Sequence, residues 1–375
     1  MTKTRSNWTN LGFISLALAL VLQTLNAPCI ARPVTGHTVS ERPFGRDTIS
    51  RASNQQTIAK ELREFGPDWA SWTETYVREI GGIRASLDGR PKLEREIEGW
   101  DCWFFDRESI EYMVHPRAMD RHLVQLVGSI SDSLARIGVD FLLVPIPDKT
   151  DLYPEKCAEG LTTSTFPVPS PHYRLICQEL LNAGVELVDV LSAYREAKHR
   201  DDGDTASTFI PAYRFCTPKG VSIAAKVIAE RVKRYQWYDS VAKDIYRASK
   251  GQVTKDGYLN GLRLGAAAKA CLQPIYPTEV ILNSTGGVNT PGRDAPVVVT
   301  GYSAGLYDCA VAQGSGIASQ VSYLTSCATG LVLTLSDDPE NAIDKARRLV
   351  VGTKSVRLVV LLVEIRNFMP EMVRK

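Results

Sequence analysis

Asp294-Ala295-Pro296-Val297-Val298-Val299-Thr300-Gly301-Tyr302-Ser303-Ala304-Gly305 is the stretch whose reading decides the fold. Three consecutive valines make a short apolar run, the composition of a strand buried on both faces in a parallel sheet. The run stops at Gly301, and two residues later comes a serine among small, turn-tolerant neighbours. Open α/β sheets place their ligands at the carboxyl ends of their strands. Ser303 is therefore either a nucleophile on a tight turn or the capping serine of an ordinary strand-to-helix connection.

Gly301 to Gly305 also spell Gly-x-Ser-x-Gly, the nucleophile elbow of α/β-hydrolases, in which the chain order is Ser, then Asp or Glu, then His. This chain has five histidines, His37, His115, His122, His172 and His199, and all of them precede Ser303. The order excludes the α/β-hydrolase arrangement. A base for Ser303 must come from upstream.

The composition of the 375 residues, 44% hydrophobic and 23% charged, suits one large domain or a domain with appendages. A formal charge of +2, with no basic stripe interleaved with aromatics, gives no electrostatic case for nucleic acid. Lys3 and Arg5 form a short positive region, and no charged residue follows from Ser6 through Ala31. Leu11 to Leu22 is the apolar core of this leader, and Cys29-Ile30-Ala31 offers the small residues that a signal peptidase reads. Residues 1–31 are read as a signal peptide cleaved after Ala31, or as an uncleaved membrane anchor. Either way the remainder is exported to the periplasm or its equivalent, and membrane association would run through the N-terminus.

Export permits disulfides. Of the eight cysteines, Cys29 lies in the leader; Cys102, Cys157, Cys177, Cys216, Cys271, Cys309 and Cys327 remain, an odd number whose connectivity spacing does not reveal. No Cys-x-x-Cys and no His/Cys cluster at metal spacing occurs, so neither a metal nor a cofactor is expected. Asn283-Ser284-Thr285 is a glycosylation sequon, without meaning in a bacterial source.

Residues 32–50 read as a linker and 51–94 as an N-terminal helical segment, with Ile58, Leu62, Phe65, Trp69, Trp72 and Tyr76 at helical spacing. Trp100 to Phe105 reads as a core strand. His115 to Gly138 reads as one amphipathic helix ended by Gly138. Asp140 to Pro147 is a buried strand, and helix, strand and helix follow over His172–Gly184, Val185–Val190 and Leu191–His199. Thr217-Pro218 opens another helix, with Thr as N-cap and Pro at the first helical position. After the Ser303 strand come a helix over Asp338–Val351 and a strand over Val356–Ile365. Strands alternating with helices predict a three-layer α/β/α sandwich with a mainly parallel sheet over residues 95–370.

Four landmarks bear a resemblance to the alginate O-acetyltransferase family of the AlgJ/AlgX type, whose core is an SGNH-hydrolase-like domain. Gly99-Trp100-Asp101-Cys102-Trp103-Phe104-Phe105 resembles its glycine- and aromatic-rich first strand. Val144-Pro145-Ile146-Pro147-Asp148-Lys149, with Tyr153, is similar to its Pro-x-Pro-Asp-Lys segment. Thr217-Pro218-Lys219-Gly220 matches the end of Asp-x-His-Trp-Thr-Pro-x-Gly, and Gly301-Tyr302-Ser303 matches the Gly-x-Ser of the nucleophile. In that family the Asp and His precede the Ser, as the histidine order here requires. The resemblance implies acyl transfer through Ser303, with Asp148, Lys149 and Tyr302 as substrate-binding positions; Lys149 can equally form a structural ion pair with Asp148 or Asp151. It also implies a polysaccharide acceptor and an acetyl group relayed by a membrane donor protein and other acetylation subunits.

The resemblance breaks where a hydroxyl needs an imidazole to take its proton and a carboxylate to orient that imidazole. Registered on Thr217-Pro218-x-Gly220, the family's Asp falls on Tyr213 and its His on Phe215. Two readings stay open. One is a degenerate relative, a binding or scaffolding subunit of a polysaccharide-modifying complex. The other is an active transferase with a substitute base, for which His199 and His172 are the candidates.

Overall fold

The computed structural model describes residues 81, 83, 89, 96–114, 119–157, 171–200, 207–254, 265–271, 275–292, 294–302, 314–333, 339–353 and 355–369. The leader, the linker and the helical face over 55–80 lie outside the described residues, as do Ser303 and Cys309. In chain order the elements are β1 (Glu96–Glu98), β2 (Phe104–Asp106), α1 (Arg107–Val114), α2 (Arg121–Arg136), β3 (Asp140–Ile146), α3 (Lys149–Leu152), α4 (Pro171–Asn182) and α5 (Val190–Arg200). They continue with α6 (Pro218–Val232), β4 (Arg247–Thr254), α7 (Ala266–Ala270), β5 (Ile275–Leu282), β6 (Val297–Tyr302), α8 (Ile317–Thr325), β7 (Thr329–Leu333), α9 (Pro339–Gly352) and β8 (Leu358–Glu364).

The central sheet runs β3-β8-β6-β7, and every pairing in it is parallel. Val297, Val298 and Val299 are fully buried, as are Leu358 to Leu362, so both faces of these strands are covered. That is the burial expected of unbroken apolar strands. Helices α2, α4 and α9 pack together as one group, and α5, α6 and α8 as another. This is the three-layer arrangement with a mainly parallel sheet that the strand–helix alternation predicts.

Local chemistry sets the boundaries. Asp120 caps α2 by accepting from the Leu123 N–H at 3.1 Å, so the helix starts at Arg121 and not at His115. Residues 107–114 form a separate helix, and Gly138, at φ 79°, follows the end of α2. Thr217 caps α6 through the Gly220 N–H, with Pro218 in the first turn, as its sequence predicts. Gly220 is required there, because a Cβ would collide with the Thr208 carbonyl oxygen. The strand expected over Val185–Val190 is reduced to a single parallel bridge between Leu187 and Leu143. The core strand expected over Trp100–Phe105 is mostly a turn. Asp101 and Cys102 both take left-handed conformations, at φ 55° and 61°, and only Phe104–Asp106 pairs with β1. An antiparallel ribbon of β4 and β5, absent from the sequence reading, lies outside the main sheet. Among the described residues, no helix is long and apolar enough to cross a membrane.

Candidate active site

Strand β6 ends at Tyr302, and Ser303 is the next residue in the chain. Gly301, at φ 111°, lets β6 run tight against β8, since a Cβ at this position would strike the Leu362 carbonyl oxygen. Register pairs Tyr302 with Val363, and Ile146 with Glu364. The carboxyl ends of β3, β8 and β6 therefore share one edge. A cleft at this edge is lined by Asp148 and Lys149 after β3, Glu364 and Arg366 from the end of β8, and Phe209 and Arg214–Cys216.

Arg366 is the hub of the cleft. Its guanidinium lies 3.1 Å from Glu364, 3.7 Å from both Asp106 and Asp148, and 3.8 Å from Glu108, and it donates to the Ser109 hydroxyl at 3.2 Å. Burial opposes its charge, but Glu364, Asp148, Asp106 and Glu108 outweigh burial and hold its pKa above the ordinary arginine value. Burial raises the pKa of Asp106, against the pull of Arg366 and Arg214. Asp148 accepts from the Ser109 hydroxyl at 2.8 Å and from the Thr150 N–H and hydroxyl at 2.9 Å, while its own N–H donates to Asp151. These bonds make Asp148 a capping residue of α3, held between Ser109 and Arg366.

Lys149 points inward. It is 2% exposed, and its ammonium donates to the carbonyl oxygens of Phe104 at 2.7 Å, Ile210 at 3.0 Å, Pro211 at 2.6 Å and Tyr213 at 3.2 Å. The rings of Trp103 and Phe105 lie 4.7 and 4.9 Å from it. Burial lowers its pKa to about 7, with Asp106 opposing. The resemblance places this residue against substrate; the structure gives it the geometry of a clamp that ties β2 to the loop carrying Tyr213.

That loop is a hairpin closed by the Phe209–Cys216 bridge and by the Ile210 N–H donating to the Phe215 carbonyl at 2.8 Å. Phe215 is 7% exposed and packs in a small apolar cluster with Phe104, Ile210, Ala212, Val253, Ala268 and Tyr276. The Tyr213 ring meets it edge-on at 4.6 Å. Tyr213 and Phe215, on which the resemblance registers the family's Asp and His, thus form an aromatic pair on a second small core. Cys216 is also buried, its thiol 3.6 Å from the Tyr194 hydroxyl, and burial pushes its pKa up to about 12. It is a poor nucleophile.

The two candidate bases fare differently. His172 is 5% exposed, edge-on to Tyr112 at 5.7 Å, and burial lowers its pKa to about 4. It does not line the cleft. His199 lies in the last turn of α5, and its side chain falls outside the described residues. So does the side chain of Tyr302. No imidazole lines the cleft among the described residues, and no group of them has the makeup of a metal site. The carboxylate cluster around Arg366 escaped the sequence reading because Asp106, Asp148 and Glu364 are far apart in the chain. The only signal was that Asp148 and Glu364 each close an apolar run.

The family described as SGNH hydrolase-like domain, acetyltransferase AlgX, matches residues 97–289, just over half of the chain. The match ends before β6. A probable alginate O-acetylase AlgJ from Pseudomonas syringae pv. tomato is 23% identical over 202 residues, covering 50% of this chain and 49% of the relative. The chain therefore spans about half the length of that curated relative. The O-acetyltransferase domain of Pseudomonas putida AlgJ superposes with a TM-score of 0.56 at 18% identity, over 74% of this chain and 92% of that one. Pseudomonas aeruginosa AlgX gives 0.48 at 12% identity, over 72% and 62%. At 18% identity the first superposition supports the fold alone. Since the family match takes in the end of β3, the hairpin at 209–216 and the Thr217 cap, the chain belongs to the SGNH hydrolase-like, acetyltransferase AlgX family.

Proposed function

We propose that this chain is an exported polysaccharide-binding subunit of an exopolysaccharide O-acetylation apparatus of the alginate type, and that its cleft has lost the catalytic base. One observation carries the reading: Phe215, at the position where the family has its histidine, belongs to an apolar cluster. Full burial of a phenylalanine stabilises a fold by about 1.5–3 kcal/mol. A phenyl ring so placed cannot accept a proton. The carboxylates in the cleft do not replace it, because Asp148 is committed to capping α3 and Glu364 is held by Arg366. Export is supported by the leader and by a disulfide between Cys102 and Cys271, a bond favoured outside the cytoplasm. The partners would be the polymer, a membrane acetyl donor and the subunits that act on it.

A second reading, acyl transfer through Ser303 with another base, is favoured by Gly301. The tight β6–β8 approach that this glycine allows is retained although the acid and base positions are not. Complementation separates the two. A strain lacking this gene should make polymer with reduced O-acetyl content, and both wild type and Ser303→Ala should restore it. Failure of Ser303→Ala alone would favour the catalytic reading. Unchanged acetylation in the deleted strain would refute a role in acetylation.

A further inference from the structure

The cleft is nearly filled by its own walls. Its described lining encloses about 20 Å³, room for a single water and not for an acetyl group or a sugar ring. A larger ligand enters only if a wall moves. Most of the walls are the ends of β3 and β8 and the turns that follow them; the remaining one is the hairpin over Phe209–Cys216. The base of this hairpin is anchored. Phe209 meets the rings of Tyr153 and Tyr194 edge-on at 6.4 and 6.0 Å, the Thr208 N–H donates to the Tyr153 hydroxyl at 3.0 Å, and the Thr217 N–H donates to the Thr208 carbonyl at 2.9 Å. The tip is held differently. Pro211, Tyr213 and Arg214 are half-buried. Beyond the seating of Ala212 and Phe215 in the small apolar cluster, the tip is fastened by the Lys149 ammonium, by the Phe104 N–H on the Pro211 carbonyl, and by Arg214 at 3.7 Å from Asp106.

Lys149 fastens the tip with a buried charge. Its ammonium has no carboxylate within ion-pair distance among the described residues. Asp106 at the end of β2 and Asp148 at the start of α3 act on it from farther off, and burial pushes the thiol of Cys157, after the turn Pro154–Lys156, well up. Three N–H groups serve four carbonyl oxygens. A neutral amine keeps two. These suffice for the carbonyls of Phe104 and Tyr213, because those of Ile210 and Pro211 also accept from the Tyr213 and Phe104 N–H groups. The seated hairpin therefore keeps its carbonyls paired with either form of the amine, while the charged form bears the cost of leaving water. Burial accordingly lowers the pKa of Lys149 to about 7. Swinging the tip outward would return the amine to water and to its ordinary value of 10.5.

We propose that the hairpin is a proton-controlled gate of the cleft: protonation of Lys149 favours an open tip that admits a ligand, and loss of the proton favours the seated tip. Linkage fixes the sign. The closed arrangement binds the proton more weakly than the open one, so closure strengthens as pH rises above 7. Below 7 both arrangements carry the proton, and opening is at its easiest. The anchored ends of the hairpin are the hinges, and opening breaks the bond from the Phe104 N–H to the Pro211 carbonyl. The gate controls access to the cleft whichever ligand the cleft takes, so its failure would leave the acetylation reading untouched.

The test is hydrogen exchange of the full chain at pH 6, 7.5 and 9, resolved to the Phe104 amide and referred to the amides of Val298 and Leu361 in the central sheet. Rates are corrected for the intrinsic effect of pH. The Phe104 amide should exchange by local opening, with protection well below that of the two sheet amides. Its protection should rise roughly 100-fold from pH 6 to pH 9, most of it above pH 7. Lys149→Met, its fold checked by circular dichroism, should show no such rise. A wild-type profile flat with pH would overturn the gate. So would Phe104 protection equal to that of the sheet amides at every pH, which would place the release of Lys149 in global unfolding alone. An undiminished rise in Lys149→Met would overturn it as well. The two wild-type readouts decide the question even where the variant does not fold.

Discussion

Replacing Lys149 by methionine tests whether this buried cation is a structural clamp. Methionine keeps an unbranched stem against Trp103 and Phe105 but removes the donor shared by four carbonyl oxygens. Two of these keep another donor, since the Tyr213 N–H reaches the Ile210 carbonyl and the Phe104 N–H reaches that of Pro211. The Tyr213 carbonyl is only partly buried and can turn to water. The remaining cost is that of about one buried acceptor and the lost charge-assisted bonds, roughly 1–3 kcal/mol at pH 6. The pH dependence is more telling. Lys149 titrates at about 7 in the folded protein and near 10.5 when unfolded. Between those values the unfolded state binds the extra proton, so wild-type stability rises with pH by up to about 1.4 kcal/mol per pH unit. Below pH 7 the full cost of burying the charge is present. Methionine has no such term, so the penalty of Lys149→Met should grow by about 2–3 kcal/mol between pH 6 and pH 9. Urea denaturation of both proteins at the two pH values gives this difference, and other titrating groups cancel in it. A penalty independent of pH would refute the buried-clamp account, because a solvated ammonium keeps its ordinary pKa.

Three further outcomes follow from the same geometry. Gly301→Ala should lower stability by more than about 3 kcal/mol in urea denaturation, because strain at positive φ adds to a clash with the β8 backbone; a loss below about 1 kcal/mol would contradict the β6–β8 register. His172 titrates at about 4 folded against 6.5 unfolded, so its contribution is complete above pH 6.5 and falls away on acidification. Between pH 7 and 4.5 wild type should lose about 2–3 kcal/mol more than His172→Phe, and equal losses would contradict the buried placement of His172. Cys102→Ser should cost about 2–5 kcal/mol, since the bond to Cys271 closes a sequence separation of 169 residues, and a reducing agent should reproduce the loss in wild type.

The parallel sheet was legible because its strands are continuous apolar runs. Val297–Val299 and Leu358–Val363 need no partner to declare themselves buried on both faces. The Thr217-Pro218 helix start was legible because capping is a local property of two or three residues. The Trp100–Phe105 turn was misread since its aromatics suggest a strand, whereas what sets its path is a disulfide to Cys271 and a contact with Lys156, both distant in the chain. The ribbon of β4 and β5 was missed for a related reason: the stretch Arg247-Ala248-Ser249-Lys250-Gly251-Gln252 is polar, and its pairing partner begins at Ile275. At the site, motif register alone pointed to Tyr213 and Phe215, which the structure pairs edge-on beside a small apolar cluster. The contacts of Lys149 were not legible, because its partners are backbone carbonyls, which no side-chain pattern marks. Nor was the Arg366 cluster, whose four carboxylates come from three separate segments.

The central claim is that the cleft keeps the fold of a serine acyltransferase and lacks its base. The most direct measurement is hydrolysis of a small acetyl ester by the purified chain, alongside Ser303→Ala and the restored Tyr213→Asp/Phe215→His protein. Loss of a triad base lowers turnover by roughly 10³-fold or more. Wild type and Ser303→Ala should therefore be indistinguishable from each other, and a gain in turnover should appear only in the restored protein. Robust wild-type turnover that Ser303→Ala abolishes would contradict the account.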